Sequence, residues 1–157
     1  MKPPRPETPF LNALNVTTNF PHEGRLAGID FGTVRIGIAI CDQGQTFASP
    51  VENYQRRDLQ ADARRFIELA KEEDIVGFVV GLPISTDGNE TAKSREAREF
   101  GGWLTEVTEL PVTFHDERFT TSLAHELMIA GNIKASKRKK RLDMIAAQQM
   151  LQAYLER

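Results

Sequence analysis

From Arg25 onward, short apolar runs give way to longer helical patterns. Leu26–Asp30 and Arg35–Cys41 are β-type runs meeting at Gly32-Thr33, a spacing that predicts a hairpin. A third strand near Phe47–Asn53 would complete an antiparallel meander. Asp58 is a candidate N-cap for a helix through Glu73, with Leu59, Phe66, Ile67 and Ala70 on one face. Ile75–Leu82 is a continuous apolar run bounded by Gly81 and Pro83, as expected of a strand buried on both faces. A loop with Asp87-Gly88 leads to a helix over Thr91–Val107, then a strand over Val112–Asp116. Another helix is expected over Thr121–Ala130, ended by Gly131. After a basic loop, a last helix puts Leu142, Ile145, Ala146, Gln149, Met150 and Ala153 in register. The pattern predicts an α/β fold: a mixed five-stranded sheet, first an antiparallel meander and then parallel strands, with helices on both faces. Residues 1–24 carry five prolines and no periodicity, and read as a mobile extension before one domain over 25–157.

Composition adds limits. At 157 residues, 40% hydrophobic and 27% charged, the chain is one globular domain's worth. A single cysteine, Cys41, allows no internal disulfide and no cysteine metal cluster. His22, His115 and His125 have no zinc spacing. The longest nearly uncharged apolar run, Ile75–Ile84, is about half of what a bilayer requires. The early prolines interrupt any signal-peptide core. A reducing, cytoplasmic setting and no membrane partner are the expectation. The net charge of −2 hides a concentration: Lys134, Lys137, Arg138, Lys139, Lys140 and Arg141 form a local +6, leaving −8 for the other residues.

Three carboxylates carry the candidate chemistry. Asp30 lies in an apolar strand, where alternation sets it on the side of Leu26 and Gly28. A carboxylate there needs a cation or hydrogen-bond donors nearby; as a bland alternative it caps the Gly32-Thr33 turn. Glu117 directly follows a strand, where open α/β sheets place ligands. Asp143 opens the last helix, and both it and Glu117 could instead serve helix dipoles. Clustered carboxylates repel one another unless positive charge intervenes. Hard oxygen donors suit Mg²⁺ or Mn²⁺, and two such ions can activate water and stabilise a leaving oxygen at a phosphodiester. No Walker A or dinucleotide-binding glycine motif is present.

The residues Leu26-Ala-Gly-Ile-Asp30-Phe-Gly-Thr-Val-Arg-Ile-Gly-Ile-Ala39 resemble the opening motif of the YqgF, or RuvX, family of ribonuclease H-like proteins. The resemblance continues through Val80-Gly81-Leu82-Pro83 with Asp87-Gly88, through His115-Asp116-Glu117-Arg118 with Thr120-Thr121, and through Leu142-Asp143 with Ala146-Ala147. It implies a ribonuclease H-like fold and a metal-dependent nuclease, with Asp30, Glu117 and Asp143 as catalytic metal ligands. The favoured substrate is pre-16S ribosomal RNA at its 5′ end, in ribosome biogenesis. Arg118, Lys137, Lys139, Lys140 and Arg141 are the candidate nucleic-acid contacts, and a monomer or weak homodimer is expected.

Other readings stay open. A Holliday junction resolvase would use the same chemistry, but paired symmetric cuts require a two-fold dimer. Asp30-Phe-Gly-Thr also resembles the phosphate-binding turn of actin-like ATPases and sugar kinases, which need two such domains. A non-catalytic nucleic-acid adaptor is the alternative outside enzymology.

Overall fold

The computed structural model describes residues 20–117 and 135–157, without the side chains of 135–140. Its elements run β1 (Arg25–Asp30), β2 (Arg35–Cys41), β3 (Ala48–Gln55), α1 (Leu59–Glu72), β4 (Ile75–Leu82), α2 (Ala92–Thr108), β5 (Val112–Asp116) and α3 (Ala135–Glu156). The five strands form one sheet in the order β3-β2-β1-β4-β5. The β1–β2 and β2–β3 pairs are antiparallel, and the β1–β4 and β4–β5 pairs parallel. This is the expected mixed sheet, with β1 at its centre.

Each face is covered. On one side, Ala27, Ile29, Ile36, Ile38 and Phe78 pack with Phe66 and Leu69 of α1 and with Ala97, Phe100 and Leu104 of α2. On the other, Leu26, Ala39 and Val79 pack with Ala147, Met150 and Leu151 of α3. The alternation of β1 decides which side each residue serves: Ala27 and Ile29 face α1 and α2, while Leu26 faces α3.

Four expectations need correction. α1 starts where its N-cap predicts, with Asp58 accepting from the Ala61 amide at 2.8 Å. Its inner face, however, is Asp62, Phe66 and Leu69, while Leu59 is 60% exposed. The helix is turned by buried Asp62, which accepts from the Tyr54 hydroxyl at 2.7 Å, the Arg56 Nε at 3.1 Å and the Arg57 amide at 3.1 Å. Residues 135–141 are not loop, because α3 already begins at Ala135. The buried stripe of α3 is Ala146, Ala147, Met150, Leu151 and Tyr154; Leu142, Ile145, Gln149 and Ala153 lie partly exposed. Finally, the packed domain starts before residue 25. Phe20 is buried where Gly77 leaves room for its ring, and it meets Tyr154 edge-on at 6.1 Å. Residues 1–19 of the expected extension, and the helix expected over 121–130, lie outside the described residues. No helix among the described residues is long and apolar enough to cross a membrane.

Candidate active site

The carboxyl ends of the parallel strands β1, β4 and β5 share one edge of the sheet, the place where open α/β sheets present ligand-binding residues. Asp30 ends β1 and sits in register with Gly37 of β2. Glu117 follows β5, its amide donating to the Leu82 carbonyl at the end of β4 (3.1 Å).

Two glycines bring the carboxylates together. A Cβ on Gly37 would collide with the backbone carbonyl of Asp143, so only glycine lets α3 settle onto β2 at that point. Since Gly37 pairs with Asp30, that contact sets Asp143 beside Asp30. A Cβ on Gly81 would collide with the Glu117 carboxylate, so β4 leaves the space the glutamate occupies. Asp143 lies eight residues into α3, beyond the first turn where a helix dipole acts, so the dipole does not explain it.

Asp30, Glu117 and Asp143 line one cleft of about 630 Å³, together with Phe31, Thr33, Arg35, Lys93 and Glu96. Burial, then the Glu117 and Asp143 charges, push the Asp30 carboxyl well above the usual carboxylate range, against a lowering pull from Lys93. Glu117 is 8% exposed. Burial, with Asp116 beside it, raises its carboxyl to about 7. Asp143 accepts from the Arg35 Nε at 3.3 Å.

The donors are all oxygens, and among the described residues four carboxylates and two cations line the cleft, which fits a hard divalent cation. The three are not already gathered at one point: among the described residues no group of three His, Cys, Asp or Glu side chains stands at metal-holding spacing. Asp143 is turned to Arg35 instead. Of the expected nucleic-acid contacts, Arg141 is exposed on α3. The side chains of Arg118, Lys137, Lys139 and Lys140 lie outside the described residues. Arg35 and Lys93, the two cations on the cleft wall among the described residues, were not foreseen as site residues. Arg35 had a readable signal, a lone cation between the Gly32-Thr33 turn and an apolar strand.

The fold and cleft define a ribonuclease H-like protein. The fold matches that of Thermus thermophilus RuvC in complex with a Holliday junction substrate, with a TM-score of 0.51 at 18% identity over 84% of this chain and 96% of that one. Residues 24–157 match the profile of the RuvX family, described as Holliday junction resolvase, and the chain belongs to that family. A Rhodopirellula baltica relative, provisionally named a pre-16S rRNA nuclease, is 50% identical over 87% of this chain and 79% of its own length. A Bradyrhizobium relative with the same provisional name is 36% identical over 95% of this chain and 92% of its own.

Proposed function

We propose that this protein is a metal-dependent nuclease that hydrolyses phosphodiesters of precursor ribosomal RNA in the cytoplasm. The observation that carries this reading is the setting of Asp30, a carboxyl at the centre of the sheet edge, raised by burial and by the charges of Glu117 and Asp143. Asp30, Glu117 and Asp143 would hold one or two Mg²⁺ or Mn²⁺ ions. Bound there, such ions supply an activated water and stabilise the leaving oxygen.

The chain's own residues do the rest. Asp30 anchors the site from the rigid central strand. Glu117, raised to about 7 in the metal-free site by burial and by Asp116, would give up its proton on taking the ion. Asp143 would hold the ion in place of Arg35, whose guanidinium would then be free to take a phosphate oxygen. Lys93 supplies a second cation on the cleft wall. The basic run 134–141, entering α3 just before Asp143, would hold the substrate backbone.

The test is cleavage of a pre-16S RNA and a synthetic four-way DNA junction side by side, with and without Mg²⁺ or Mn²⁺. Metal-dependent cutting of the RNA supports the reading. Cutting of the junction alone, by a dimer, moves the protein to recombination; binding without cutting of either leaves an adaptor.

A further inference from the structure

Beside the cleft lies a smaller cavity of about 260 Å³, and the two share Phe31, Thr33 and Glu96 as a common wall. α2 builds one side, because Glu96, Glu99, Phe100 and Trp103 recur at i, i+3, i+4 and i+7 and form one stripe. Phe31 and Phe100 stack at 4.7 Å with 31° between their planes, and Phe100 and Trp103 at 5.4 Å with 37°. The Arg56 guanidinium lies 5.2 Å from the Phe31 ring centre, its Nε tied to buried Asp62 at 3.1 Å. Leu59, 60% exposed, adds an apolar side chain to the lining.

Aromatic faces, a fixed planar cation and carboxylate acceptors are the groups by which proteins hold unpaired bases. We infer that this cavity is a subsite for one unpaired nucleobase of the strand whose backbone crosses the cleft. The inference rests on the nuclease reading for the presence of that strand, and it adds which form of nucleic acid the site selects. The shared wall sets a base in the smaller cavity beside the cleft that Asp30 lines. Lys93 and Arg35 line the cleft alone and would draw the phosphates there, while Glu99 lines only the smaller cavity and Glu96 stands in the wall between. Those two carboxylates accept hydrogen bonds from the exocyclic amines of adenine, cytosine or guanine, which uracil lacks. A base paired in a duplex cannot enter without leaving its stack, so the subsite favours single-stranded substrate.

Trp103 is the chain's one tryptophan and stands in the cavity wall, so its emission reports occupancy. The full chain in EDTA, where metal-dependent cutting is off, is titrated with a short single-stranded RNA of A and C. A strand of the same length without bases and a fully paired duplex are titrated alongside, with anisotropy of a terminal dye reporting total binding. The expected result is a Trp103 change that saturates together with anisotropy for the single strand alone. The abasic strand should bind roughly tenfold or more weakly and leave the emission unchanged. A U-only strand should bind less well than the A and C strand, and Glu99→Gln should narrow that difference. Leu59→Ala, at a position 60% exposed, should weaken only the single strand. An equal emission change with the abasic strand overturns the subsite, as does full anisotropy binding with no emission change. Absence of binding by all three probes sinks the nuclease reading and the subsite with it.

Discussion

The Arg35 Nε donates to Asp143 Oδ2 at 3.3 Å, joining the start of β2 to α3 across 108 residues of sequence. Both side chains keep about a quarter of their surface exposed, 25% and 29%, so the pair adds little to folding, about 0–1 kcal/mol. Its interest is competition, since the same carboxylate is the proposed metal ligand. Arg35→Gln should leave the melting temperature nearly unchanged while divalent-ion affinity, measured by calorimetry, rises a few-fold. Weaker ion binding in the variant would mean that Arg35 positions Asp143 for the metal rather than withholding it.

The close approach at Gly37 yields a second prediction. A methyl group there meets the Asp143 carbonyl, backbone that cannot swing aside. Gly37→Ala should cost about 1–3 kcal/mol in chemical denaturation. It should also lower activity more than stability, because α3 is lifted where Asp143 must reach the site. Unchanged stability and unchanged cleavage would show that α3 has another seat.

Glu117 fixes a pH dependence. Its carboxyl, raised to about 7 by burial and by Asp116, keeps a proton that an unfolded glutamate gives up near pH 4.3. The folded state therefore binds more protons than the unfolded between about pH 4.3 and 7, so stability falls as pH rises through that window and levels off above it. Asp30, raised as well, adds with the same sign. The loss from Glu117 is at most about 4 kcal/mol. Metal-free protein should thus melt several degrees lower at pH 8 than at pH 5. Glu117→Gln should flatten the profile, and divalent ion should restore stability at the high end. A metal-free protein that melts higher at pH 8 contradicts the assignment.

The basic run sets the salt dependence of binding. Each phosphate contact contributes a slope of roughly −0.7 for a single strand and −0.9 for B-form duplex in log K against log salt. Replacing Lys137, Lys139 and Lys140 by Gln should flatten the slope by about 2 to 3 units if all three touch phosphates, alike for all sequences. The rate at saturating substrate should change little. An unchanged slope places the backbone contacts elsewhere.

Much of this architecture was readable in the chain. The strands announced themselves because β1 and β4 are buried on both faces and carry unbroken apolar runs. Asp30 stood out as the polar end of such a run, and Glu117 as the residue beyond another. α3 was harder to read. It seats small residues, Ala146 and Ala147, against a sheet thinned by glycine, so that part of its contact stripe carries less side chain than the partly exposed Leu142 and Ile145. Six cations in eight residues read as loop, although Lys and Arg are good helix formers. α1 misled for the opposite reason, since its inner face contains a buried aspartate whose partners lie on β3 and the loop that follows.

The measurement closest to the central claim is the single-turnover cleavage rate of Asp30→Asn on a pre-16S RNA in Mg²⁺ or Mn²⁺, with circular dichroism as the check on folding. The substitution keeps the shape and removes one ligand charge from the middle of the sheet edge. Metal stabilisation of the transition state is worth several kcal/mol, so the rate should fall on the order of a thousandfold while the fold survives. A folded Asp30→Asn protein that cuts at close to the wild-type rate would contradict the account.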